Sequence, residues 1–194
     1  MKTINDIYES VLDTDFGKNV EFELVKDWLS KHSAHQKYVV DPKTLEINAD
    51  YLFLGVENGE EWPPFIKFGN IKKFRLEYNG SKSNRSLCIE LPKSCIKYEL
   101  DLLDIDTCTL NGDINSPSGE FRLYGDIKEL NLNGKLNIYK FHMGGTRDLE
   151  QINGIQNIKC DTINFPYKII GNAVRKAMNL KGAKNVMVQG NTLG

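Results

Sequence analysis

Ile71-Lys72-Lys73-Phe74-Arg75-Leu76, Ile127-Lys128-Glu129-Leu130-Asn131-Leu132 and Ile155-Gln156-Asn157-Ile158-Lys159-Cys160 spell one short pattern, an apolar residue with apolar residues three and five places on. Cys95/Tyr98/Leu100 and Ala183/Val186/Val188 repeat the spacing with other residues. The last two apolar positions of each copy are two apart, so they share one face of a strand. From Ile71 to Ala183 the copies begin 24, 32, 28 and 28 residues apart, within the range of repeat architectures. A unit this small cannot bury its own apolar face, so neighbouring units must stack and share a core. The pattern predicts a mainly β solenoid of short strands over residues 65–194.

The sequence around the copies agrees. Ser86 to Leu91, Thr107 to Gly112, Phe121 to Gly125 and Leu136 to Phe141 read as further strands. Asn79-Gly80, Asn111-Gly112, Ser116-Pro117-Ser118-Gly119, Gly125-Asp126, Asn133-Gly134 and Gly144-Gly145 read as the turns between them. A doubly wound sheet would need long helices that this region lacks. A β-sandwich has similar strand spacing and is the runner-up, but it does not explain the repeated spelling. Asn172 to Leu180 is the one helical pattern here, closed by Lys181-Gly182, and is expected on the convex side of the last coil. Upstream, Tyr38 to Val40 and Leu45 to Leu54 are rich in strand formers. Trp62-Pro63-Pro64 lacks the donors for a strand or helix interior.

Residues 1–36 differ from the rest. Ile4, Ile7, Tyr8 and Val11 lie at helical spacing, and Asp13-Thr14-Asp15-Phe16-Gly17 breaks the run. A second helix, Glu21 to Lys31, puts Val25, Trp28 and Leu29 on one face and Glu21, Lys26, Asp27 and Lys31 on the others. Ser30 to Lys37 reads as a polar linker. The expected organisation is an N-terminal helical cap or leader over 1–36 and a β-solenoid repeat domain over 37–194.

Composition bounds the function. The chain has 194 residues, 40% hydrophobic and 26% charged, as a folded domain should. A formal charge of −1 gives no global pull on nucleic acid or anionic lipid. The first residues carry no apolar signal core, and no run reaches the ~20 apolar residues of a membrane span, so a cytoplasmic protein is expected. Cys88, Cys95, Cys108 and Cys160, spaced 7, 13 and 52, match no zinc or redox motif. They are expected to be buried free thiols in a reducing compartment.

Asp27-Trp28-Leu29 on a helix, a strand pair near Tyr38, and Trp62-Pro63-Pro64-Phe65-Ile66-Lys67-Phe68-Gly69-Asn70-Ile71 resemble the opening segment of degenerate leucine-rich-repeat-like proteins of gut bacteria and their phages. Leu149-Glu150-Gln151-Ile152-Asn153-Gly154-Ile155 with Ile158-Lys159-Cys160-Asp161 is similar to that family's turn and cysteine-containing strand. Ile7 to Asp13 also resembles a leader found on otherwise different proteins of such phages. The middle, 80–145, departs from the pattern and lacks its Asn-x-Leu ladder. The resemblance implies a repeat fold and phage or prophage association, with host cytoplasm or virion as the location. It implies no catalytic residues.

Candidate chemistry is sparse. Asp101, Asp104 and Asp106, with Asp113 nearby, would suit a carboxylate cluster for acid/base work or Ca²⁺, but Asp101 alternates with Leu100 and Leu102 and therefore faces water. His32 and His35 have no third ligand near in sequence, and His142 has no nucleophile motif beside it. Gly144-Gly145-Thr146-Arg147 lacks the phosphate-loop lysine. Lys67, Lys72, Lys73, Arg75, Lys93 and Lys97 are interleaved with Glu77, Glu90 and Glu99, unlike a nucleic-acid surface. No catalytic group, metal, cofactor, nucleic-acid partner or membrane partner is expected.

What stacked strands offer is rows of outward side chains. By alternation these are Arg75, Glu77, Lys97, Glu99, Arg122, Tyr124, Asn131, Asn137 and Tyr139. The expected role is a non-catalytic module that binds another protein through this surface. Two other roles compete. One is a phage structural or packaged protein addressed by Ile4 to Asp15, and the other is a carboxylate-dependent glycoside-cleaving solenoid. A cap buries Ile4, Ile7, Tyr8 and Val11, each worth about 1.5–3 kcal/mol. Deleting residues 1–17 is therefore expected to lower the melting temperature sharply, as thermal unfolding by circular dichroism will read. An addressing peptide would leave it nearly unchanged.

Overall fold

The computed structural model of the protein describes residues 15–34, 37–57, 59–93, 95–145, 149–165, 181–188 and 191–192. The chain is mainly β and forms a β-solenoid of about 6 turns, with one N-terminal α-helix among the described residues. Helix α1 (Asp15–His32) precedes the strands β1 (Tyr38–Val40), β2 (Glu46–Val56), β3 (Lys67–Asn79), β4 (Ser86–Glu90), β5 (Lys97–Leu103) and β6 (Thr107–Asn111). Then follow β7 (Ile114–Gly125), β8 (Glu129–Leu132), β9 (Leu136–Gly144), β10 (Gln151–Asn153), a 3-10 turn (Ile155–Asn157), β11 (Ile158–Phe165), β12 (Ala183–Val188) and β13 (Asn191–Thr192). A wide sheet has the order β1-β2-β3-β5-β7-β9-β11-β12-β13, and a narrow one the order β10-β8-β6-β4. All pairings between coils are parallel; β1 and β13 close the ends of the wide sheet antiparallel. No described helix is long and apolar enough to cross a membrane.

Two consecutive outward side chains interrupt the alternation of the long strands. Lys72-Lys73 stand between buried Ile71 and Phe74, Tyr139-Lys140 between Ile138 and Phe141, and Asp161-Thr162 between Cys160 and Ile163. Each such pair breaks the pleat and marks a corner at which the strand bends, so the wide sheet has two legs and each coil presents up to three inward-facing runs. The Φ-x-x-Φ-x-Φ spelling is therefore the signature of a corner. The copy at Ile71 lies within β3, the copy at Cys95 leads into β5 and the copy at Ala183 opens β12, all in the wide sheet. The copy at Ile127 leads instead into β8 of the narrow sheet, and the copy at Ile155 leads from the 3-10 turn into β11.

That mixture corrects the spacing expected from the sequence. Leu52, Phe74, Tyr98, Phe121, Phe141, Ile163 and Val186 occupy one level of the wide sheet, at steps of 22, 24, 23, 20, 22 and 23 residues. Leu87, Cys108, Leu130 and Ile152 do the same in the narrow sheet, at steps of 21, 22 and 22. The second side of the described coils is thus strand, where a leucine-rich repeat carries a helix or 3-10 segment.

Packing follows from the register. Tyr98, Phe121 and Phe141 stack, with ring centroids 5.2 and 5.1 Å apart at interplanar angles of 18° and 9°. The spacing is that of adjacent strands, about 4.8 Å. The buried Tyr98 hydroxyl is satisfied within its own coil: it donates to the Pro92 carbonyl at 2.8 Å and accepts from the Cys95 N–H at 2.8 Å. Asparagines also stack on equivalent asparagines of the next coil. Asn133 donates to Asn111 at 2.9 Å, Asn137 to Asn115 at 2.8 Å and Asn153 to Asn131 at 2.7 Å. An asparagine ladder of this kind therefore runs through the middle of the chain.

Helix α1 covers the first coil. It begins at Asp15 and runs through Gly17, because one helical glycine costs only about 1 kcal/mol. It also extends to His32, so the polar linker is shorter than expected. Val25, Trp28 and Leu29 are buried, while Lys26–Glu23 (3.2 Å) and Lys31–Asp27 (2.6 Å) pair on its exposed side. Trp28, Trp62, Phe68 and Phe74 form a chain of rings with centroids 5.5, 6.2 and 5.0 Å apart, joining the helix to the solenoid core. The His32 ring adds contacts from Nδ1 to the Gly55 carbonyl at 2.9 Å and from Nε2 to the Glu60 carboxylate at 3.3 Å. The sequence-predicted helices over 4–12 and 172–180 lie outside the described residues.

Coils approach closely where glycines face the backbone below. Gly154 has φ 75°, and a Cβ there would fall within the van der Waals radius of the Leu132 carbonyl oxygen. At Gly55 the space a methyl group would take is open, and φ is not positive. Gly154→Ala is expected to lower unfolding free energy by about 2 kcal/mol or more, whereas Gly55→Ala changes it by less than about 1 kcal/mol. Phe121→Ala, which removes the middle ring of the stack, should cost about 3–5 kcal/mol. Urea denaturation of the three variants checks all of these.

Candidate functional site

The second leg of the wide sheet turns a flat outer face to solvent, and its register sets side chains in rows. One row reads Phe53, Arg75, Glu99, Arg122, His142, Asn164; the next reads Gly55, Glu77, Asp101, Tyr124, Gly144. Arg75, Glu77, Lys97, Glu99, Arg122 and Tyr124, expected to face outward, all do so and lie together here on β3, β5 and β7. Asn131 is on the outer side of the narrow sheet, Asn137 on the first leg, where it belongs to a ladder, and Tyr139 at the corner, half exposed. The nine residues thus fall on different sides of the coil.

Charges on the face interlock. The Arg75 Nη2 reaches Glu77 at 2.6 Å and Asp101 at 3.0 Å, with its guanidinium 5.3 Å over the Phe53 ring. Lys97 pairs with Glu99 at 2.9 Å and Arg122 with Glu120 at 3.1 Å. Glu77 and Asp101 are directly opposite each other in the ladder, an arrangement that like charges oppose, and Arg75 bridges them. Partial burial raises the Asp101 pKa from its ordinary value, and neighbouring Glu99 and Glu77 add to this against the pull of Arg75. The lysine hydrogen bond instead lowers that of Glu99.

Two hollows open on this face. One, of about 390 Å³, is lined by Gly55, Glu57, Glu77, Tyr78, Asp101 and Leu103. The other, of about 320 Å³, is lined by Glu120, Arg122, Tyr124, Lys140, His142 and Asn164, with Phe121 beneath. Of these, Glu120, Lys140 and Asn164 were not singled out in the sequence. Reading the Ile138/Phe141/Met143 and Cys160/Ile163/Phe165 spellings as corners would have placed Lys140 and Asn164 on the outer face.

The aspartates do not converge. Asp101 engages Arg75 on the wide sheet, whereas Asp106, at the corner into the narrow one, pairs with Arg85 at 2.8 Å and Lys128 at 3.5 Å. Asp104 serves the turn between them at φ 54°, a conformation aspartate tolerates. Asp113 accepts the Lys135 N–H at 2.8 Å. Among the described residues no three histidine, cysteine or acidic side chains are placed to hold a metal; His35, Thr146 and Arg147 lie outside them.

The geometry defines a β-solenoid with a charged, row-patterned outer face. The chain matches no protein-family model, no curated protein and no solved structure.

The thiols divide unequally. Cys95, Cys108 and Cys160 are buried, and burial pushes Cys95 and Cys160 up to about 12 and Cys108 higher still. Cys88 is exposed, contrary to the sequence expectation, because Leu87 and Ile89 are the inward residues of β4. The thiolate is the reactive form, so the native protein is expected to yield one rapidly labelled thiol at neutral pH in a dithionitrobenzoate assay. Denaturant should then expose all four.

Proposed function

We propose that this chain is a non-catalytic, leucine-rich-repeat-like binding module whose partner is another protein, docked on the outer face of β3, β5 and β7. The single observation carrying the reading is the row Arg75, Glu99, Arg122, in which charges alternate from strand to strand and are held in place by pairing within the sheet. Such a pre-organised pattern favours one complementary partner over others and loses little side-chain entropy on binding. The resemblance to proteins of gut bacteria and their phages supports a phage or prophage association, with host cytoplasm or virion as the setting.

The glycoside-cleaving alternative has one observation in its favour, the Glu77/Asp101 pair with the raised Asp101. It lacks a second carboxylate set with a recognisable role. Release of reducing ends from a polysaccharide, abolished by Asp101→Asn, would displace the binding reading. For the binding reading, a protein that co-purifies with the wild-type chain is expected to lose at least about tenfold in affinity for a Glu99→Lys/Arg122→Glu double variant. An unchanged affinity of that partner for the variant would remove this face from the interaction.

A further inference from the structure

The hollow across β7, β9 and β11 differs from the rest of the face in its charge and in its unmet hydrogen-bonding capacity. Glu120 is its one carboxylate, committed to Arg122 at 3.1 Å. Lys140, opposite Glu120 in the ladder, has no ion-pair partner among the described residues. One positive charge is thus left over, where elsewhere on the face cations and carboxylates interlock. The Asn164 side chain points Nδ2 toward His142 Nδ1 at 3.4 Å, and its Oδ1 is buried with no hydrogen-bond partner. Buried acceptors are rarely left unmatched. The Tyr124 ring forms the remaining wall. It lies against Gly144, where a Cβ would come within 2.7 Å of it, so glycine is what lets the ring lie there. Tyr124 and His142 rings are 5.7 Å apart.

We infer that this hollow is a binding site for a carboxylate-bearing sugar, a uronic acid unit, independent of any protein partner. The chemistry selects the class by elimination. The surplus cation calls for one anionic group, and the planar guanidinium of Arg122 is suited to a carboxylate. A simple hydrocarbon acid would leave the buried Asn164 Oδ1 unmatched, which a polar pocket penalises. An amino acid would bring its ammonium against Lys140 and Arg122. Several hydroxyls beside one carboxylate satisfy both demands. Burial lowers the His142 pKa, and Lys140 and Arg122 lower it further; with Nδ1 of the neutral ring facing Asn164, Nε2 is left for one sugar hydroxyl. The flat Tyr124 ring offers an apolar face to the C–H side of a sugar. A volume of about 320 Å³ is at the small end of ligand pockets, sized for one such unit.

The test is titration calorimetry of the full chain with sodium glucuronate and sodium galacturonate, set against glucose and acetate. At least one uronate is expected to bind saturably, at least tenfold more tightly than glucose or acetate. Lys140→Gln should weaken that binding about tenfold, and Asn164→Asp, which sets a carboxylate in the hollow, should abolish it. Lys140→Arg should retain it, and Arg75→Gln, outside the hollow, should leave it unchanged. Circular dichroism establishes that each variant is folded, and one that is not is replaced by Tyr124→Ala, for which loss of binding is likewise expected. No saturable uronate binding overturns the inference. So does acetate binding as tightly as the uronates, which would mark a bare carboxylate site such as a partner's acidic side chain would use. Uronate binding unaffected by either charge-altering variant would place the sugar elsewhere and overturn it as well.

Discussion

Parallel in-register pairing is the constraint from which the other features of this molecule follow. Strands about 4.8 Å apart oblige every side chain to meet the residue at its own level in the next coil. Inside, this favours residues that stack on their own kind: Tyr98, Phe121 and Phe141 lie ring on ring at 5.2 and 5.1 Å, close to the strand separation itself. Outside, it favours the asparagine, whose amide can donate to the amide below and accept from the one above. Asn111–Asn133, Asn115–Asn137 and Asn131–Asn153 do this on separate rows. Where the backbone itself crowds the next coil, as at Gly154 over Leu132, no side chain fits.

The same rule makes charge a hazard. A row of identical charges would repel at every step. On the wide sheet the sign alternates instead, Arg75 to Glu99 to Arg122, and where it fails to alternate, between Glu77 and Asp101, an arginine sits across the pair. The alternation stops beyond Arg122, where His142 and Asn164 take the next two places and Lys140 is left over. That departure from the pattern coincides with the hollow for which a uronic acid unit is proposed, while β3 to β7 carry the proposed docking plane. At the N-terminal end a different device operates: α1 inserts Trp28 into a chain of rings reaching Phe74 and covers the first coil.

Much of this was legible in the residues alone. The recurring spelling is enough to specify inward-facing pairs such as Phe74/Leu76 and Tyr98/Leu100, short strands and a shared core, because burial and a two-residue period are local properties. Val25, Trp28 and Leu29 likewise declare the inner face of α1, and the alternation around Arg75, Glu77, Lys97 and Glu99 declares the outer face of the wide sheet. Which copy belongs to which side of the coil is not local. Ile71/Phe74/Leu76 and Ile127/Leu130/Leu132 are written alike because every corner imposes the same demand, two outward residues between inward ones, so spelling cannot tell the bend of one sheet from the start of another. Only hydrogen-bonded partnership assigns Phe121 and Phe141 to the level of Tyr98, turns Cys88 outward, separates Asp106 from Asp101 by sending it to Arg85, and sets Lys140 beside Arg122, His142 and Asn164. These residues lie some 20 positions apart in the chain, about one coil of the solenoid, and the register of the ladder is what makes them neighbours.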